Sequence, residues 1–315
     1  MLIAAQIIGG LMLLVFGGEL LVKGAVVLAK RLGIPILIVG LTIVSLGTSA
    51  PELVVSIFAT MGGSPDIALG NVVGSNIANI LLVLGLTALV YPITADAKTA
   101  KSDGMIMVLL AVLLFAMMTS EAIGQVEGIT LLVLMLCYVL HLRQKVKSGA
   151  DSDIAEELEE ETAYEAPLVK AIVFVVGGIA LLVFGAQFLV EGASGFARIL
   201  GVSEAVIGLT IVAIGTSAPE LMTCVVAAYR KHSDIALGNV IGSNIFNILA
   251  VIGVTSTIHP IAVNPVLLQV DIWVMLIASV LLIPVMLSGQ RISRGEGALF
   301  FASYIAYTLY QYYGV

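Results

Sequence analysis

Three segments of this 315-residue chain recur at one fixed distance. LLVFGGELLVKGA at 13–25 returns as LLVFGAQFLVEGA at 181–193, and IVGLTIVSLGTSAPEL at 38–53 returns as VIGLTIVAIGTSAPEL at 206–221. DIALGNVVGSNIANI at 66–80 returns as DIALGNVIGSNIFNI at 234–248, and all three pairs are offset by 168 residues. One offset shared by three long matches marks a tandem duplication, so the fold must be built from two copies of one unit.

Each copy is strongly apolar. The chain is 60% hydrophobic and 11% charged, with a mean hydropathy of +1.13. Soluble domains carry about 25% charged residues, so too little polar surface is present to cover a water-exposed globule. Apolar runs long enough to cross a bilayer as helices recur at about 2–28, 35–61, 67–90, 104–120 and 124–142. They recur again at about 168–197, 203–229, 235–258, 265–288 and 295–313. The short alternating segments of a strand barrel are missing. The expected fold is therefore an all-α polytopic membrane protein of ten transmembrane helices. The first five-helix repeat occupies 1–142, an acidic linker 143–167 and the second repeat 168–315. Five spans is an odd number, so the second copy enters the bilayer from the opposite side. Inverted pairs of this kind are the architecture of secondary transporters, whose substrates bind near the midplane where the copies meet.

The bases choose an orientation. With the amino terminus outside, thirteen of the fourteen lysines and arginines fall inside, and only Arg198 is left out. The linker at 143–167 is then cytoplasmic, and an inner or plasma membrane is expected. The net charge of −7 is misleading, because eight of the 21 acids lie in 151–165. The remaining 13 acids nearly balance the 14 bases, and nothing points to nucleic acid. Cys137 and Cys224 sit inside apolar runs, without disulfide or metal spacing. No basic stretch precedes the first run, so no cleaved signal peptide is expected.

Within each copy the second span carries GTSAPE. Pro51 and Pro219 lack an N–H and free the carbonyls of Gly47 and Gly215. Broken backbone at membrane depth is tolerated where it is buried or lines a polar cavity. Those carbonyls, with neighbours at Ser45 and Ala213, are candidate cation ligands. Thr48 and Glu52 share a helical face, with Ser45 and Ser49 beside them; Thr216, Ser217 and Glu220 repeat the layout. The third span adds Asn71, Ser75 and Asn79 at intervals of four, matched by Asn239, Ser243 and Asn247. Isolated Ser, Thr or Asn residues in membrane helices mostly serve as packing glue. A glutamate at mid-membrane costs at least about 3 kcal/mol, and two with duplicated surroundings mark a function. The donor set is carboxylate, hydroxyl, amide and carbonyl oxygen, which suits Ca2+ or an alkali cation and not zinc or copper. Two carboxylates balance one divalent or two monovalent ions, so one pocket could exchange them. Glu19, Lys23 and Glu191 lie toward span ends, and Glu19 and Lys23 are spaced to pair with each other. Asp66 and Asp234 read as helix N-caps.

Two copies of GTSAPE, each followed by GN-x-x-GSN-x-x-N, resemble the paired signature repeats of the cation/calcium exchanger superfamily. Within it the chain is similar to the prokaryotic sodium/calcium exchangers, over its whole length. The resemblance implies a non-enzymatic antiporter that extrudes Ca2+ on the Na+ gradient by alternating access. It implies no cofactor, lipid and inorganic cations as the partners, and a functional monomer. It places Ca2+ on Glu52 and Glu220 with the main-chain carbonyls of Thr48 and Thr216. One sodium site would use Glu52, Ser75, Ser217, the Thr48 hydroxyl and the Ser45 carbonyl. Its mirror would use Glu220, Ser243, Ser49, the Thr216 hydroxyl and the Ala213 carbonyl. Asn79 and Asn247 would complete the middle. The long first and sixth helices would form a gating pair sliding across a rigid core. Some relatives carry an aspartate where this chain has Asn79 and Asn247, which argues against potassium coupling. The linker is too short for the calcium-binding regulatory domains of animal relatives. The alternatives are a proton-coupled antiporter of the same fold, a channel, and an intramembrane hydrolase using Ser49 or Ser217. His141, His232 and His259 all fall near span ends, which leaves that hydrolase without an evident base.

Overall fold

The computed structural model describes residues 2–62, 65–95, 97–147, 166–200 and 213–313. The acidic stretch at 151–165 and the second-copy segment at 206–212 lie outside the described residues. The first copy runs α1 (Leu2–Leu32), α2 (Ile36–Thr48), α3 (Ala50–Met61), α4 (Ile67–Val90), α5 (Ala100–Met118) and α6 (Gln125–Lys147). The second runs α7 (Leu168–Ile199), α8 (Ala213–Thr216), α9 (Ala218–Tyr229), α10 (Ser233–Ile258), α11 (Pro265–Gln269), α12 (Asp271–Leu287) and α13 (Arg294–Tyr313). Among the described residues six helices, α1, α4, α5, α6, α7 and α10, are long and apolar enough to cross a membrane singly. The pair α2 and α3 passes the same test together, bent by 41° at Ser49. The chain is an all-helical membrane protein.

Three boundaries depart from the reading of the apolar runs. The run expected at 265–288 is split at Val270, which takes φ −133° between α11 and α12. Helix α6 continues to Lys147, into the segment assigned to the linker. Asp234 is not an N-cap: the cap is His232, and Asp234 lies in the first turn of α10, where the positive end of the helix dipole favours its charge.

α1 and α7 pack along their whole lengths as an antiparallel pair. Gly10 lies against Gly185 and Leu189, Gly17 against Gly178 and Leu182, and Gly24 against Ala171 and Val175. A Cβ on Gly17 would sit 2.9 Å from both the Gly178 carbonyl and the Leu182 nitrogen, so only glycine permits this approach. Elsewhere the halves interleave. Two short ladders tie them: β1 (Ile93–Thr94) pairs with β4 (Arg291–Ile292), and β2 (Ala122–Ile123) with β3 (Ile261–Ala262). Each ladder joins one strand from each copy. α4 and α10 form the centre, and α10 is the most deeply enclosed of the long helices. Gly242 lets α10 approach α2, since a Cβ there would meet the Leu41 carbonyl at 2.6 Å and Ser45 Oγ at 2.7 Å.

Candidate functional site

The helix break falls at the serine of GTSAPE. Ser49 (φ −87°, ψ 7°) and Ser217 (φ −85°, ψ 4°) leave helical geometry in the same way. Pro51 and Pro219 then fall in the first turn of α3 and α9, where a missing N–H is not needed. Glu52 and Glu220 share that turn, so the positive end of each helix dipole favours their charge. The preceding segments end at Thr48 and Thr216, where the negative end offers carbonyls to a cation. The Ser45 carbonyl accepts the Ser49 N–H at 2.9 Å and lies 3.4 Å from the Thr48 hydroxyl.

The third-span residues are positioned by a second irregularity. Within α4 and α10 the backbone opens into π-helical turns at Asn79–Leu84 and Asn247–Ile252. Such turns are rare and recur at functional sites. α9, with Glu220, packs on the turn beginning at Asn79, and α3, with Glu52, packs on the turn beginning at Asn247. Each glutamate helix thus packs on the π-helical turn of the other copy.

The residues singled out by the sequence are enclosed. Glu52 and Glu220 are each 1% exposed; Ser45, Thr48, Ser49, Ser75, Asn79, Ser217, Ser243 and Asn247 are all buried, and Thr216 is half-buried. Ala213 opens α8, next to the segment outside the described residues. Ser49 Oγ donates to Glu220 Oε1 at 3.0 Å, so the first copy's break touches the second copy's carboxylate. Thr48 Oγ1 donates to Asn239 Oδ1 at 3.0 Å, another bond between copies. Asn71 turns to the structure rather than the site: its Nδ2 donates to the Glu52 carbonyl and to Ser56 Oγ. Asn239 likewise donates to Cys224 Sγ at 3.3 Å.

Among the described residues twelve buried side-chain oxygens have no hydrogen-bond partner, and five of them lie on residues singled out by the sequence: Glu52 Oε2, Glu220 Oε2, Asn79 Oδ1, Asn247 Oδ1 and Ser243 Oγ. The two carboxylate and two amide oxygens among these five accept and cannot donate, and such oxygens are what a hard cation takes as ligands. Among the described residues no three His, Cys, Asp or Glu side chains come together as a metal-binding group.

Several buried polar groups fall outside the helical stripes of the sequence. Asn76 and Asn244 are buried and bonded across the copies, yet lie one residue off the stripe of four. Their signal was available, as both belong to the duplicated GSN. Asp103 and Asp271, also 168 residues apart, are buried carboxylates with different partners. Lys145 Nζ lies 3.0 Å from Asp103 Oδ2, whereas Asp271 Oδ1 accepts from Tyr307 at 2.7 Å and from Gln311.

Comparison with known proteins decides the family. The model of the sodium/calcium exchanger protein family matches residues 2–143 and 170–313. The chain is a member of that family. It is 36% identical over 322 residues to the inner membrane protein YrbG of Escherichia coli, covering 99% of this chain and 98% of the relative. It is 34% identical over 338 residues to the sodium/calcium exchanger MaX1 of Methanosarcina acetivorans, covering 96% and 97%. A solved structure of the sodium-calcium exchanger NCX_Mj, soaked with zero Na+ and Ca2+, superposes with a TM-score of 0.81 at 33% identity. That superposition covers 97% of each chain. The sodium/calcium exchanger family is one of membrane transporters whose substrates are inorganic cations, not a family of enzymes.

Proposed function

We propose that this family member is a Na+/Ca2+ antiporter of ten transmembrane helices in two inverted five-helix repeats, and that it extrudes Ca2+ on the Na+ gradient. The observation that carries the reading is the set of five unpartnered buried oxygens, drawn from both copies around Glu52 and Glu220. Ca2+ would bind between the two carboxylates with the Thr48 and Thr216 carbonyls. Na+ would take the flanking positions formed by Ser45, Thr48, Ser49, Ser75, Ala213, Thr216, Ser217 and Ser243 with the glutamates, and Asn79 and Asn247 would close the middle. With both glutamates ionised, one Ca2+ or two Na+ leave the pair neutral. Either load avoids a net charge in low dielectric, and an empty ionised pair does not. That difference ties passage across the membrane to being loaded, which is the requirement for exchange.

Several contacts support the alternating topology. In a ten-span chain, residues 91–96 and 288–293 lie on the inner face, and 119–124 and 259–264 on the outer face. The β1–β4 ladder joins the first two segments and β2–β3 the second two. Arg31 donates to the Ala166 carbonyl and Arg294 to the Val90 carbonyl, both pairs on the inner face of that scheme. The repeats at 1–142 and 168–315 then meet with the linker at 143–167 in the cytoplasm and the amino terminus outside. The glycine-packed α1–α7 pair is the candidate moving element over the core. Both halves of the site belong to one chain, consistent with a monomer in the plasma membrane.

Flux of radiolabelled Ca2+ into sodium-loaded proteoliposomes tests the coupling. With the pH gradient collapsed, uptake should follow the outward Na+ gradient. Uptake that ignores Na+ and follows a proton gradient would overturn sodium coupling in favour of the proton-coupled alternative.

A further inference from the structure

Asn76 and Asn244 form an asparagine exchange between α4 and α10. Asn76 Nδ2 donates to the main-chain carbonyl of Asn244 at 3.3 Å, and Asn244 Nδ2 donates to that of Asn76 at 3.5 Å. A carbonyl only accepts, so these two bonds fix which end of each amide is nitrogen. The remaining ends are oxygens. Asn76 Oδ1 accepts from Asn247 Nδ2 at 3.1 Å, and Asn244 Oδ1 accepts from Asn79 Nδ2 at 3.0 Å. The nitrogens of Asn79 and Asn247 are thereby engaged, and their own Oδ1 atoms are the ones left buried without a partner. Two backbone carbonyls thus determine the orientation of four amides. The arrangement obeys the 168-residue offset, and each asparagine of the candidate site is held by the opposite copy.

An amide that flips would offer NH2 where a cation needs oxygen, and the two orientations have nearly the same shape. Packing alone discriminates poorly between them, so a directed hydrogen bond is required. We propose that Asn76 and Asn244 are positioning residues, which lock Asn247 and Asn79 with Oδ1 presented to the transported cation. This rests on the reading of Asn79 and Asn247 as cation ligands. It adds two residues that touch no ion yet set the affinity of the site, and it makes each copy responsible for its mate's ligand.

A double-mutant cycle tests the lock, read as the Ca2+ concentration for half-maximal uptake in proteoliposomes. That concentration reports only folded protein, so a lower yield leaves it unchanged. Asn76→Ala should raise it about tenfold, the effect of losing a directed bond to a buried ligand. In an Asn247→Asp background the ligand has two oxygens and nothing to flip, so adding Asn76→Ala should then change it by less than about twofold. Asn244→Ala with Asn79→Asp is the mirror cycle, and it decides the matter if the Asn76 variant does not fold. Equal increases in both backgrounds, or no increase in either, would overturn the lock. Asn247→Ala with the parental value would instead overturn the cation-site reading on which it rests.

Discussion

The centre of this protein and its rim treat the duplication differently. At the centre the copies match closely: the breaks at Ser49 and Ser217 agree within a few degrees, and π-helical turns open at both Asn79 and Asn247. The Asn76–Asn244 exchange also closes on itself. At the rim the copies have parted. Glu19 on α1 holds Arg230 at the end of α9 through contacts of 2.6 and 2.7 Å, with Lys23 at 3.5 Å. The residues 168 positions away from Glu19 and Lys23 are Gln187 and Glu191. Gln187 donates to Glu191 within its own helix, and Gln6 reaches Glu191 from α1. Asp103 and Asp271 show the same divergence, one beside a lysine and the other beside tyrosine and glutamine. The proposed function accounts for this: a site that is to be approached from both leaflets would have to present equivalent ligands from each copy, whereas the two faces of a membrane need not be alike.

The equivalence of the centre can be broken most directly at the glutamates. Glu52→Gln and Glu220→Gln should each reduce Ca2+ uptake at least about 100-fold, as expected for removing one charge from a buried arrangement. The two losses should agree within about threefold if the copies contribute equally. A variant that keeps full uptake would end the assignment of that residue. The next largest effect is expected at the α1–α7 seam. Gly17→Val drives its side chain into the backbone of α7 and should lower stability by about 1–3 kcal/mol, read by thermal unfolding in detergent. An unchanged melting temperature would mean that the helices are free to part.

The rim should respond more weakly. Glu19→Gln removes an ion pair whose arginine is 47% exposed, worth about 0–1 kcal/mol. Transport rate should therefore change by no more than about fivefold, and high salt should erase the difference by screening. A larger change that persists in salt would assign this contact to the core. The smallest effect belongs to Cys224→Ser, which restores the serine found at its mate, Ser56. Asn239 Nδ2 would then bond an oxygen, as Asn71 does at 3.1 Å, and uptake should shift by less than about twofold. A severe loss would show that the bulkier sulfur is needed for packing.

The duplication, the apolar runs and the two glutamates were legible because each is local or repeats at a fixed interval. Helix periodicity set Asn71, Ser75 and Asn79 in one stripe, but it also put Thr48 and Glu52 on one helical face, and the break at Ser49 leaves them on α2 and α3. It did not say that Asn71 turns to Ser56 and the Glu52 carbonyl while Asn79 is left with a free oxygen. Proline pointed to a broken helix, but the break fell at Ser49, two residues earlier, because Pro51 is accommodated in the new helix's first turn. Glu19 and Lys23 read as partners four residues apart; Arg230, 211 residues away in sequence, was out of reach of that argument.

The sequence by itself determined that two copies of one apolar unit exist and that each supplies one membrane-buried carboxylate. These follow from composition, spacing and the cost of burying charge. Only the tertiary structure decided which copy supports which ligand. Ser49 bonds Glu220, Thr48 bonds Asn239, and Asn76 and Asn244 hold Asn247 and Asn79. The reason is physical: a hydrogen bond depends on the separation and angle of two groups to within a few tenths of an ångström. For groups more than 160 residues apart, those quantities exist only after the two copies have packed together.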